Sequence, residues 1–191
     1  MVRSFLDLPV DNDAVESLVR AAHSGPSAGN TRSLELLVLR GADANAYWDV
    51  TLPPERRATF PWPGMLIAPV LLVPYVRPDS YLERYSEDDK RGTGLGRSEG
   101  EWPVPFWWVD GGAAAQNVLL AANALGLGAC LFGQFEHEDP VRRRFGVPSG
   151  FRAVCTMAIG HRDRENDRAS RSAQRPRRAL DDVTHYGRWG A

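Results

Sequence analysis

The stretch from Asp110 to Leu125 (DGGAAAQNVLLAANAL) carries a single charge, at its first residue, and no other segment limits the fold so tightly. Ala113, Ala114, Ala115, Val118, Leu119, Leu120, Ala121, Ala122 and Ala124 predict a helix that is apolar nearly all round. That marks a helix buried in the middle of a structure. Asp110 suits the N-cap and Gly126-Leu-Gly128 the stop. The alanines would let another helix approach closely, and a small monomer has little with which to cover every side. The expected cover is a second copy, giving a homodimer with a buried, mostly helical interface.

Helical and strand patterns alternate around this helix. Asp13-x-x-Glu16 reads as an acidic capping box. Val15, Leu18, Val19 and Ala22 then recur at helical spacing, predicting an amphipathic helix over 13–24 that Gly25-Pro26 stops. Residues 26–30 (PSAGN) read as a turn-rich loop, 34–39 as a strand and 43–50 as a weak helix. A buried strand is expected over 66–76, bent at Pro69 and Pro74. Residues 77–108, charged, then glycine-rich, then aromatic, read as one long loop of the kind that serves as a lid or substrate loop. Beyond the central helix come a strand over 129–132, a helix that Asp139 caps with Pro140 at its first position, and a last core strand over 151–159. The alternation predicts an α/β or α+β chain with no domain boundary, a single domain over 1–191.

Composition excludes several classes. With 191 residues the chain is long enough for one self-sufficient core. A net charge of −1 gives no global field for nucleic acid or an anionic membrane, so neither is an expected partner. The cysteines, Cys130 and Cys155, stand alone in apolar runs, which fits reduced thiols in a cytoplasm better than a disulfide framework. The opening residues have no secretory pattern, and the 65–76 apolar run is too short to span a bilayer. A soluble, cytoplasmic protein is expected.

Three tempting motifs fail on context. Gly25-Pro-Ser27-Ala-Gly29 matches the serine-hydrolase pattern, but that elbow follows a strand and opens a helix, and here the order is reversed. Gly92, Gly94 and Gly96 alternate, so they do not form a dinucleotide loop. His23, His137, His161 and His185 are scattered, with no zinc spacing, so no metal site is expected.

An ordered set of weaker signals remains. Arg3-x-Phe5 and Pro9-Val10 come first, then the helix running into Pro26-Ser27-Ala28-Gly29-Asn30. The Asp110 to Ala122 run follows, with Gly126-Leu-Gly128-Ala-Cys130, Phe132-Gly133-x-Phe135, Phe145-Gly-Val-Pro148, Ile159-Gly160 and Arg175-Pro-Arg177. In that order, over nearly the whole chain, they resemble the nitroreductase family. The resemblance implies an α+β fold, a central mixed sheet flanked by helices, in an intertwined homodimer with two FMN sites at its interface. It implies an enzyme: hydride would pass from NAD(P)H to the flavin N5, then to a small oxidant such as a nitroaromatic or quinone. The cofactor carries the hard chemistry in such a site, so no catalytic acid or base is named.

The resemblance also distributes roles. Arg3 falls where a basic residue meets the flavin and its ribityl phosphate. Ser27, Ala28 and Asn30 fall on the loop that reaches the flavin of the other subunit, with Pro26 near the ring. Gly133 and Gln134 fall where backbone N–H groups approach N5 and O4. Arg175 and Arg177 fall where a C-terminal basic pair grips the phosphate, and residues 179–191 where a tail packs on the partner. Read from the residues alone, Pro26 to Asn30 is more readily a helix stop and the arginine pair plain surface charge. Trp102, Phe106, Trp107 and Trp108 offer large rigid faces and are the expected wall of the substrate slot, with core packing as the competing reading.

Three departures bear on the cofactor. The family carries an Arg and a Ser ahead of the position matched by Arg3. Its Gln-Pro-Trp after the loop is here Arg32-Ser33-Leu34, and Phe60-Pro-Trp-Pro-Gly64 stands where polar contacts to the flavin pyrimidine are usual. These predict either a weaker hold on FMN or a shortened start. The alternatives to a reductase are a flavin-dependent biosynthetic oxidase or dehydrogenase, and a flavin binder without catalysis.

Overall fold

A computed structural model describes residues 1–190; residue 191, the last of the expected tail, lies outside the described residues. The elements are α1 (Asn12–His23), β1 (Glu35–Arg40), α2 (Ala42–Thr51), α3 (Pro54–Arg57), β2 (Val70–Val76), α4 (Pro78–Tyr85), α5 (Phe106–Ala124), β3 (Gly128–Phe132), α6 (Glu138–Phe145), β4 (Arg152–Ala153) and β5 (Thr156–Gly160).

The sheet runs β1-β2-β5-β3, with β4 beside the end of β2. β2 is buried along its whole length, as expected of a central strand. Its period-2 geometry divides the core. Val70 and Leu72 face α1 and α5 in one apolar cluster; Leu71, Val73 and Tyr75 face α2 and α6 in another. Pro74 has no N–H to give to a ladder. The ladder to the next strand breaks there: β5 pairs with Val70 to Leu72 and β4 with Tyr75 and Val76.

α5 leans on the sheet through Gly111. A Cβ there would lie 2.6 Å from Cγ2 of the partly buried Val154 and 3.1 Å from Cγ1 of the buried Val76. Gly111→Ala is therefore expected to destabilise by about 1–3 kcal/mol, as overpacking does. Chemical denaturation reads it, and an unchanged midpoint would show that the helix shifts freely.

Several expectations need correction. Every strand pairing among the described residues is antiparallel, where a mixed sheet was expected. The first helix begins at Asn12, Asp11 makes no side-chain cap, and Glu16 pairs with Arg20 instead of closing a capping box. The 66–76 strand starts only at Val70, because Pro63–Met65 forms a 3-10 turn. Residues 77–108 are not one loop: Pro78 opens α4, and two 3-10 turns follow. Asp110 is no cap, since α5 starts four residues earlier at Phe106, after Pro105. Asp139 and Pro140 lie inside α6, which starts at Glu138; Gly146 closes it in the left-handed conformation, as a C-terminal glycine should. No helix among the described residues is long and apolar enough to cross a membrane.

Candidate active site

The sequence-predicted residues separate into two cavities that share no lining residue. The first, of about 350 Å³, lies on the α2 face of the sheet, where β3 ends. Arg3, Trp48, Trp62, Phe132, Gly133 and Gln134 are among its walls. Phe5 N–H donates to the Gly64 carbonyl at 3.0 Å, and a Cβ on Gly64 would sit 2.2 Å from Ser4 Oγ. Only glycine lets the 60–64 segment lie so close to the extended N-terminal segment around Ser4. That approach sets the Arg3 guanidinium 5.1 Å over the Trp62 ring. Among the described residues the guanidinium forms no ion pair, so its charge is available to the cavity. Trp48 and Phe132 stack at 5.6 Å and 16°, forming a flat aromatic wall.

A polar network backs this wall. Tyr47 Oη lies 2.8 Å from Thr156 Oγ1, and Gln134 Nε2 donates to the same oxygen at 3.2 Å. Burial holds the Tyr47 phenol well above its ordinary range, against the opposing influence of the Thr156 bond, so it stays neutral. Gln134 Oε1 and Trp48 Nε1 are buried without a partner among the described residues. An unmet acceptor and an unmet donor on residues that line one cavity are features a ligand can satisfy. Cys130, on the same wall, has its thiol raised by burial, and Cys155, across the sheet, is pushed up to about 12 by burial; both are free.

The second cavity, of about 550 Å³, lies on the other side of the sheet, between the end of α1, the 25–34 loop and α5. Pro26, Ser27, Asn30, Ser33, Tyr81 and Asp110 are among its walls. Asp110 Oδ2 accepts from the Ala28 N–H at 2.8 Å and from the Tyr81 hydroxyl at 2.7 Å. Asp110, Tyr81 and Arg84 were missed as site-shaping residues. The three left-handed loop positions, Gly29, Asn30 and Arg32, needed an anchor, and only that strain pointed to one.

The structure thus joins Arg3 to Gly133 and Gln134, and Pro26 to Ser27 and Asn30, but does not join the two groups. Ala28 faces the protein through its bonded N–H rather than the cavity. Arg175 and Arg177 are exposed on the tail and line neither cavity. Trp102 and Trp107 are core: both are buried in a cluster with Tyr81, and the Trp102 indole N–H is spent on the Leu95 carbonyl at 2.9 Å. Phe106 and Trp108 stand exposed on the first turn of α5, again outside both cavities. Within one chain the aromatic segment therefore walls no slot.

The family model for the nitroreductase family matches residues 1–161. A protein of Methanothermobacter thermautotrophicus, provisionally named an NADH dehydrogenase/NAD(P)H nitroreductase, is 30% identical over 165 residues, covering 84% of this chain and 71% of its own. An NADPH-dependent oxidoreductase of Staphylococcus aureus is 26% identical over 197 residues, covering 100% of this chain and 70% of its own. Among solved structures, an FMN-dependent nitroreductase from Clostridium difficile R20291 superposes with a TM-score of 0.66 at 19% identity, covering 98% of this chain and 94% of that one. A nitroreductase from B. subtilis gives 0.71 at 18% identity, covering 98% and 70%. These likenesses support the fold, and the family model with the archaeal relative reaches further. The chain belongs to the nitroreductase family.

Proposed function

We propose that the protein is an FMN-dependent oxidoreductase that draws hydride from NAD(P)H and passes it to a small oxidant, a nitroaromatic or quinone, as a cytoplasmic homodimer. One observation carries the reading: a single cavity combines a guanidinium and buried polar atoms that have no partner among the described residues with a stacked aromatic wall. An anionic, flat, polar-edged cofactor answers each of these. When bound, FMN supplies the two-electron carrier, taking hydride at N5 and releasing it to an oxidant. The names of relatives and structural neighbours, NAD(P)H nitroreductase and FMN-dependent nitroreductase, agree.

The chain's own residues bind, orient and exclude water. Arg3 would answer the phosphate, for which a guanidinium fork is suited. Gly133 and Gln134, at the end of β3, would offer backbone N–H groups to the ring edge, with Gln134 pinned from behind by Thr156. Trp48, Met65 and Phe132, which line the cavity, would keep water from the ring face. Pro26, Ser27 and Asn30 would complete the site from the second copy, which accounts for two cavities that one chain keeps apart. Arg175 and Arg177 would join from the tail, whose Leu180, Tyr186 and Trp189 stand exposed and ready to pack on a partner. Phe106 and Trp108, not the buried Trp102 and Trp107, are left to meet an oxidant.

Protein purified under mild conditions is expected to be yellow, to release FMN on denaturation, and to consume NADH or NADPH only when a quinone is supplied. Colourless protein that takes up no FMN on titration would overturn the reading. Bound FMN without nucleotide consumption would leave a flavin binder.

A further inference from the structure

We propose that Asp110 is a positioning residue, which holds the 26–32 loop in the shape needed to reach the cofactor of a second copy. The inference rests on the function proposed above. A carboxylate inside an otherwise apolar helix is out of place unless it has a task, and Asp110 is the one charge in α5. Its Oδ2 accepts from the Ala28 N–H at 2.8 Å and from the Tyr81 hydroxyl at 2.7 Å. Tyr81 is buried and comes from α4, so the carboxylate ties loop, α4 and α5 at one atom.

A second tie acts on the next residue. Arg84 Nε donates to the Gly29 carbonyl at 2.8 Å, while its two terminal nitrogens are steered by Asp89 at 2.7 and 2.8 Å. Gly29 lies so near α4 that a Cβ would fall 2.7 Å from the Tyr85 ring. The loop needs such restraint. Gly29, Asn30 and Arg32 have φ of 61°, 57° and 53°, a region that non-glycine residues avoid. Strain of this kind persists only where the surroundings dictate it. The loop divides accordingly: the backbones of Ala28 and Gly29 are gripped by the scaffold, while Pro26, Ser27 and Asn30 line the cavity. Asp110 also reaches the cavity wall, but both hydrogen bonds of its Oδ2 go to the gripped side, and it acts through them.

The test has two arms. In the flavin-free protein, amide hydrogen exchange at Ala28 is expected to quicken at least about tenfold in Asp110→Ala, with the central strand β2 as protected as before. In the second arm, FMN titration by fluorescence quenching is expected to show about a tenfold weaker Kd for Asp110→Ala. Asp110→Asn, which keeps an acceptor for the Ala28 N–H, should recover most of it, and Tyr81→Phe should fall between. Where Asp110→Ala fails to fold, the Asp110→Asn and Tyr81→Phe pair carries the same comparison. Unchanged Ala28 exchange would overturn the anchor. Quickened exchange with unchanged FMN affinity would overturn the positioning role. Wild-type protein that binds no FMN fails in the functional reading, which the wild-type control identifies before any variant is compared.

Discussion

Leu120→Glu combined with Val109→Glu is expected to yield a folded monomer whose FMN affinity has fallen more than about a hundredfold. The two side chains are 60% and 47% exposed on α5 in the isolated chain, and the exposed Gly112 and Gln116 lie between them on the same face. That stripe is what a helix apolar nearly all round leaves uncovered once one side has packed on α1 and the sheet. In a two-fold dimer the same patch meets itself, so each substitution would place like charges near one another in a desolvated seam. Obligate interfaces are built like a core cut in half and do not tolerate this. The effect on flavin follows because each site would draw its walls from both copies. Light scattering and a flavin titration on one sample decide it. A persistent dimer would mean that the α5 stripe is not the interface; a monomer that binds FMN at wild-type strength would mean that one cavity suffices.

Arg3→Ala is expected to weaken FMN by about ten- to a hundredfold, the equivalent of losing a charge-assisted pair worth about 1.5–3 kcal/mol. Arg3 is the lining guanidinium of the first cavity, and it makes no ion pair among the described residues. Riboflavin, which lacks the phosphate, should lose much less. Equal loss for both flavins would place the role of Arg3 in its stacking on Trp62 instead. Arg177→Ala, run beside it, measures the tail. A loss selective for FMN would bring the exposed Arg177 to the phosphate through the second copy, and no loss would leave it surface charge.

What could be read from the sequence follows the physics of period and separation. α1 shows helical spacing, and β1 and the body of α5 show unbroken apolar runs, so these were legible; α2 has no clear apolar stripe and reads only weakly. α4 was not legible, because it is short and opens a charged, glycine-rich stretch that reads as one loop; Pro78 sits at its first helical position, where a missing N–H costs nothing. Asp110 before a glycine and alanine run has the form of a cap, and only its partners, 82 and 29 residues away, give it another task. The Tyr47–Thr156 contact spans 109 residues and leaves no local trace. Arg3, Pro26 and Gly133 are named as site residues through the resemblance alone. Trp102 and Trp107 were misplaced because aromatic density looks the same whether it walls a slot or fills a core. Their burial with Tyr81 decided for the core.

The separation of the two cavities within one chain has a genetic consequence. On the proposed dimer, each site takes Arg3 from one copy and the Asp110-held loop from the other. Two impaired alleles, one damaged at Arg3 and one at Asp110, would then complement each other when expressed together. In the mixed dimer both lesions fall in the same site, and the opposite site is left whole.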